Sequence, residues 1–447
     1  MTPPSVERQV FDSLMSSQYQ PAANLEAQQR AQISRLLGFA IQTLPFYAQR
    51  LAPILRRNGA IDLTRWNDVP ILRRDEVLAD LAALRPAEIP PEHGSTHEFS
   101  TSGSTGQPVK VLVSQLANAV SQASGWRAHT WHDLDWREDV LAWMGDAGAD
   151  GGPGLHTHGR WGPPWRPDAK GRMLSIARQT RPEEVIRIAH KRGVAYLTGR
   201  PRSLQELASA ALRAGERLPL KALLTFGTAT TSDERADCQA AFGAPMLGGY
   251  ASKEAGLMAY DCPVCGHMHL NSDAVFVEVV DDDGRVVPPG TQGRIVVTPL
   301  FNFAQPLIRY EQGDLGVLGA SGQCGRSLPL LTRIVGRTTD LFRFPDGQVI
   351  APSIPVEFGR RMGAEAWQLV QVAPLAVEVR YVPRLDAPRD EAAFEAAVHQ
   401  LVRADLAVTF RVLDRMPEGP GGKFQQYVSL VEKGVSSESN ESASPAR

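Results

Sequence analysis

The stretch Ser100-Thr101-Ser102-Gly103-Ser104-Thr105-Gly106-Gln107-Pro108 decides how this chain is read. Seven of its nine residues are glycine or carry a hydroxyl, and Val109 to Ser114 follows as a short β-rich run. Glycine lets backbone N–H groups turn inward around an anion, and Ser and Thr hydroxyls add rotatable donors. That chemistry suits a loop gripping phosphate oxygens. The Gly-x-x-x-x-Gly-Lys-Ser/Thr pattern is absent, so this is not a Walker-type loop. A polar surface turn is the plain alternative for such a string.

Working outward, 447 residues suffice for a large core and more than one domain. Hydrophobic content of 43% and charged content of 21% are those of an ordinary globular protein. A net charge of −2 argues against a broad basic surface and so against nucleic acid as a partner. Met1 to Leu14 has no apolar core of a secretory signal, and no run reaches the roughly 18 apolar residues of a membrane span. Four cysteines without an export signal point to a cytoplasmic location, where thiols bind metal or stay free.

Ile33, Leu36, Leu37, Ala40, Ile41 and Leu44 mark one face of a helix ended by Pro45. Gln115 to Trp131 reads as a helix and Val140 to Met144 as a buried strand. Gly145 to Pro167 lacks periodicity and reads as a long connection; its aromatics are candidates to line an acid pocket, with His156 and His158 meeting a carboxylate. Pro182 to Arg192 and Leu204 to Gly215 read as helices, Val194 to Leu197 and Ala222 to Phe226 as strands. Such alternation predicts an α/β layered fold with parallel sheet, whose ligands sit beyond the carboxyl ends of the strands. Gly227-Thr228-Ala229 occupies such a place. Ala274 to Val287 reads as a hairpin turning at Asp281-Asp282-Asp283-Gly284, an acidic turn rather than a metal site. Gly293 to Leu300 reads as one more strand. Beyond Gly336, Leu375 to Val382, Asp390 to Leu406 and Val408 to Leu413 read as strand, helix and strand of a compact α+β unit. Gly434 to Arg447 reads as a disordered tail.

The opening stretch resembles the phosphate loop of the adenylate-forming superfamily, which includes acyl- and aryl-CoA ligases, adenylation domains and luciferases. Val109 stands where that family usually has lysine, with Lys110 one place later, as in its phenylacetate-CoA ligase-like branch. Further segments carry the resemblance in order. Gly249-Tyr250-Ala251-Ser252-Lys253-Glu254 is similar to the Tyr-Gly-x-Thr/Ser-Glu motif. The resemblance implies Tyr250 stacked on adenine and Glu254 holding Mg²⁺ on the ATP phosphates, roles that suit an aromatic face and a hard carboxylate ligand. Lys253 replaces the usual hydroxyl and either supplies positive charge to the phosphates or points to solvent. Gly227, Thr228 and Ala229 would lie against adenine.

Ile308-Arg309-Tyr310-Glu311-Gln312-Gly313-Asp314 resembles Arg-Tyr-x-Thr-Gly-Asp, which implies Asp314 on the ribose hydroxyls. Gly336-Arg337-Thr338-Thr339-Asp340 is similar to the hinge motif. It puts Arg337 on ribose or phosphate and Thr339 in place of the hinge acid, with Asp340 beside it. Gly421-Gly422-Lys423 matches the place of the mobile catalytic lysine bridging carboxylate and α-phosphate.

The fold class implied is α/β, a large N-terminal adenylate-forming domain with layered sheets and helices plus a small mobile α+β C-terminal domain. The boundaries are 1–336, a hinge at 337–340, 341–433 and a tail at 434–447. The phosphate-loop residues are Ser102, Gly103, Ser104, Thr105 and Gly106. ATP, Mg²⁺ and usually coenzyme A are the cofactors implied, and an aryl or arylacetic acid is the substrate class. A carrier-protein thiol or an amine as acceptor, a homodimer, and a catalytically silent nucleotide-binding protein stay open.

Cys262-Pro263-Val264-Cys265-Gly266-His267-Met268-His269 has zinc-ligand spacing. Cys324 lies in Gly322-Gln323-Cys324-Gly325-Arg326, which resembles a Cys-x-Cys-Gly-Arg segment of the same branch. The expected structural Zn²⁺ site is therefore Cys262, Cys265, Cys324 and one histidine, His269 before His267. Cys238 is expected to be a packed thiol.

Overall fold

The computed structural model describes residues 5–100, 109–145, 154–320, 322–338, 340–384, 389–417 and 424–431. Its contacts divide the chain into two units, Met1–Gly336 and Arg337–Arg447.

Local chemistry explains most elements of the first unit. Helices α1 (Val6–Ser17), α2 (Ala22–Thr43), α3 (Pro45–Arg50) and α4 (Arg74–Ala79) precede the hairpin β1 (Thr96–Ser100) and β2 (Lys110–Ser114). Pro45, which ends α2, also opens α3 at its first turn, where a missing N–H costs nothing. Ser114 then caps α5 (Gln115–Trp131) by accepting from the Ala117 N–H. Strands β3 (Val140–Gly145), β4 (Leu155–Arg160), β5 (Arg172–Ala177), β6 (Val194–Gly199) and β7 (Ala222–Thr225) alternate with helices α6 (Pro182–Arg192), α7 (Pro201–Ala214) and α8 (Ser232–Phe242). Helix α6 carries proline at its start, Glu183 and Glu184 in its first turn, basic residues in its last, and left-handed Gly193 at its end. Thr231 and Glu234 cap α8 reciprocally.

The chain continues through β8 (Met246–Ser252), β9 (Gly256–Asp261), β10 (Met268–Leu270), β11 (Val275–Val280), β12 (Gln292–Pro299), β13 (Tyr310–Gly319) and β14 (Leu330–Arg337). Among the described residues, β3 to β14 form one 12-stranded sheet in the order β11-β12-β13-β14-β10-β9-β8-β7-β6-β3-β5-β4. Pairing from β5 through β3, β6 and β7 to β8 is parallel, and β8 to β9 turns antiparallel. Strand β10, three residues long, joins the two halves. It pairs with β14 only at Met268↔Leu331 and His269↔Leu330.

Two buried clusters flank the sheet halves. One holds α6, α7 and α8 residues such as Val185, Leu204, Leu207 and Cys238 against Ala142, Leu197 and Leu223. Cys238 is thus a packed thiol, and burial pushes its pKa up to about 12. The other gathers Leu36, Leu37 and Tyr47 of α2 and α3 with Val277, Ile295, Val297 and Tyr310.

The second unit holds β15 (Phe342–Arg343), β16 (Val349–Ile350), α9 (Val356–Arg361), β17 (Ala364–Ala373), β18 (Ala376–Pro383), α10 (Glu391–Leu401), β19 (Ala407–Val412) and β20 (Tyr427–Ser429). Its main sheet runs β19-β18-β17-β20 over a core including Trp367, Leu369, Val379, Tyr381 and Phe394. Among the described residues no helix is long and apolar enough to cross a membrane.

Three expectations are corrected. The stretch read as structureless from Gly145 to Pro167 contains β4, an edge strand whose order comes from antiparallel pairing with β5, not from local pattern. The turn at 281–284 does form, with the Asp281 N–H donating to the Arg285 carbonyl and the Val287 N–H to the Val279 carbonyl, but its return arm is a single bridge from Val286 to Val280, and the strand partner of β11 is β12. Helix α10 stops at Leu401 rather than Leu406, and the following residues turn back toward β19. The proposed tail, 434–447, lies outside the described residues.

Candidate active site

Strands β1 and β2 pair in register from Thr96↔Ser114 to Ser100↔Lys110, so the hydroxyl-rich stretch connects them. Its residues Ser102, Gly103, Ser104, Thr105 and Gly106 lie outside the described residues, as do Thr339 and Lys423. Val109 is 1% exposed and belongs to the core. Lys110 turns away: its Nζ lies 3.0 Å from Glu98 Oε1, and Arg85 Nη2 lies 3.1 Å from Glu98 Oε2. Hydrogen bonding from Lys110, and then from Arg85, holds the Glu98 carboxyl below the usual range.

Register also explains the second motif. Ser252 pairs with Gly256, which leaves Lys253-Glu254-Ala255 as a three-residue hairpin loop between β8 and β9. Gly256 closes it at φ +69, where a Cβ would come within 2.8 Å of Ser121 Oγ, so glycine is required twice over. Ser121 Oγ accepts from the Leu257 N–H at 3.1 Å, and Ser252 Oγ from the Ala255 N–H at 3.0 Å. These bonds fix the loop to α5. From it, Glu254 Oε1 reaches within 3.6 Å of Arg74 Nη1 at the start of α4, and Lys253 Nζ sits 5.3 Å from the Phe99 ring centroid.

Tyr250 is buried on β8, and its hydroxyl donates to Asp314 Oδ2 at 2.7 Å. Asp314 lies inside β13. Pairing with β12 passes from Leu315↔Arg294 to Glu311↔Val296 through an irregularity, and Gly313 there has φ +77. The interruption frees Asp314 to turn toward Tyr250. Two residues that the sequence reading placed on one nucleotide are therefore in contact. Tyr250→Phe is expected to lower stability by about 1.5–3 kcal/mol, the range for a hydrogen bond to a charged group, measurable by urea unfolding.

Gly227 (φ +89), Thr228 and Ala229 are exposed just beyond the carboxyl end of β7. Trp143 near the end of β3 stacks with Phe226 at 6.5 Å and 28°. Side chains of His156 and His158 lie outside what is described. Arg337 is the last residue of β14 and belongs to the second unit. Sequence reasoning missed Arg74, Phe99, Trp143 and Phe226. Each becomes visible only through its contact with a residue remote in the chain.

Cys262, Cys265, His269 and Cys324 bring one donor atom each to within 4.8 Å of one another. A tetrahedron with metal–sulfur bonds of about 2.3 Å has edges of about 3.8 Å, inside that spread. His269 Nδ1 faces the Leu328 carbonyl at 2.8 Å, and its Nε2 faces Cys324 Sγ at 3.0 Å and Cys265 Sγ at 3.6 Å. A proton on Nδ1 leaves the Nε2 lone pair for a metal. Gly322 is needed beside it, because a Cβ there would lie 2.6 Å from Cys265 Sγ. Burial opposes ionisation of Cys324, but hydrogen bonds from the Arg326 backbone, Cys265, His269 and the Arg326 side chain bring its thiol down to about 6. The donor set fits zinc, and His267 is not part of it.

Residues 86–299 match the family of AMP-binding enzymes. A phenylacetate-coenzyme A ligase of Thermus thermophilus is 41% identical over 75 residues, which span 16% of this chain and 17% of that relative. The fold is similar to that of 2-hydroxyisobutyryl-CoA ligase in its postadenylation state. That comparison has a TM-score of 0.70 at 18% identity and covers 93% of this chain and 91% of the other. An anthranilate CoA ligase bound to anthranoyl-AMP gives a TM-score of 0.54 at 12% identity, over 73% and 65%. The fold is similar to that of both ligases.

Proposed function

We propose that the protein activates a carboxylic acid with ATP to an acyl-adenylate and passes the acyl group to a thiol, coenzyme A. The observation that carries this is the Tyr250–Asp314 contact beside the β8–β9 loop, with Tyr250 and the loop inside the residues matched to AMP-binding enzymes. The substrate carboxylate attacks the α-phosphorus and pyrophosphate leaves. Asp314 takes the ribose hydroxyls, Tyr250 and Gly227 to Ala229 border the base, and the 102–106 stretch holds the leaving phosphates. Glu254 is the residue for Mg²⁺, which when bound neutralises phosphate charge. Arg337 and Lys423 come from the second unit, with 337–340 as the pivot of its movement. Positioning and charge stabilisation supply most of the acceleration.

The Trp143–Phe226 stack at the ends of β3 and β7 favours an aryl or arylacetic acid. Zinc on Cys262, Cys265, His269 and Cys324 is structural, since four protein donors leave no open position. A cytoplasmic location accords with cysteines kept as thiols. Transfer to a carrier protein or an amine shares the first half-reaction.

The test is acid-dependent exchange of pyrophosphate into ATP across aromatic, arylacetic and aliphatic acids, followed by coenzyme A, carrier protein or amine as acceptor. Glu254→Gln and Lys423→Ala are each expected to lower acyl-adenylate formation by about a hundredfold or more. Absence of exchange with every acid defeats the enzymatic reading and favours a silent nucleotide-binding protein.

A further inference from the structure

The corner where β1 meets the β8–β9 loop carries several ionic groups, and they are not equivalent. Arg85 and Lys110 both end on Glu98, at 3.1 and 3.0 Å. Arg74 ends on Glu254, whose side chain is only 10% exposed. Lys253 is different. Among the described residues its ammonium is held by a ring, Phe99, at 5.3 Å from the centroid. A π face restrains a cation without neutralising it. The loop beneath it is fixed by the Ser252–Ala255 hydrogen bond and by Ser121, so the position is defined at both ends of the side chain. Phe99 immediately precedes Ser100, where the hydroxyl-rich connection begins. After that connection Val109 is buried, and the first cation, Lys110, is paired with Glu98.

From this arrangement we infer that Lys253 is the cation that binds the polyphosphate end of the nucleotide, with Phe99 as its positioning residue. The inference rests on the nucleotide reading above and assigns a role to one residue within it. The charge comes from another hairpin, across an aromatic ring. It is one residue from Glu254, so cation and metal ligand approach the phosphates from a single loop.

The experiment is calorimetric titration of the full chain with Mg²⁺-ATP, Mg²⁺-pyrophosphate and AMP, for the wild type and Lys253→Met, Lys253→Arg and Phe99→Leu. Loss of a charge-assisted hydrogen bond is worth about tenfold or more in affinity. Lys253→Met is therefore expected to weaken ATP and pyrophosphate by about tenfold while AMP changes by less than about twofold. Its ATP affinity should also depend less steeply on salt. Lys253→Arg should retain most of the affinity, and Phe99→Leu should lose part of it for ATP and pyrophosphate but not for AMP. Lys253 is exposed, so an unchanged thermal midpoint verifies that the variant is folded. Equal losses for AMP and ATP, or no loss, overturn the assignment while leaving the nucleotide site in place. A wild type that binds neither nucleotide overturns the site and the assignment together.

Discussion

Arg309→Ala is expected to destabilise the first unit by about 3–5 kcal/mol, the range for breaking a buried ion pair from one side. Arg309 and Glu278 are each 1% exposed, with Arg309 Nη2 at 3.1 Å from Glu278 Oε1. The same guanidinium donates to the carbonyls of Val69 at 2.7 Å and Gly284 at 2.7 Å. One side chain thus ties the segment before α4, strand β11 and the acidic turn together. Truncation strands the Glu278 carboxylate and orphans those carbonyls at once. Replacing both partners by apolar residues, Arg309→Met with Glu278→Leu, should cost less than Arg309→Ala alone. Urea unfolding of the two single variants and the double variant measures the coupling. A double variant as unstable as the sum of the singles defeats this account. Arg309 has φ +52 and lies just ahead of the bulge that presents Asp314, so weaker AMP binding should accompany the loss.

The second large effect concerns the thiol cluster. The wild type is expected to retain about one zinc per chain through gel filtration, and Cys324→Ala or His269→Ala to retain much less. Because such a metal binds the folded chain alone, its loss should remove several kcal/mol of stability, seen as a fall in the thermal midpoint on chelation. Elemental analysis of the purified chain is decisive. A metal-free wild type of unchanged stability removes zinc from the description.

Much of this was legible in the chain itself, and for local reasons. Helix α6 announces itself by proline and acids at its start and bases and glycine at its end. Helix α5 follows its serine cap, and β6 and β7 are continuous apolar runs buried on both faces. Strands β4 and β10 were not legible, because the hydrogen bonds that define them come from β5, β9 and β14. The site divides in the same way. Tyr250, Glu254, Asp314 and the four residues of the thiol–histidine cluster are motif residues and can be named from order and spacing. The contacts Tyr250–Asp314, Glu254–Arg74 and Lys253–Phe99 cross the chain at distances that no periodicity encodes.

The brevity of β10 has a practical consequence. Its two pairs with β14 are the bridge between the halves of the sheet, and His269, one of the cluster donors, sits on it. Cys262 directly follows β9, and the Cys324 segment leads into β14, so the cluster lies across the seam and a bound metal would clasp it. An open clasp leaves the edges of β9 and β14 bare, and bare edges recruit other chains. Recombinant yield of soluble protein should accordingly track zinc in the growth medium, with inclusion bodies where the medium is depleted.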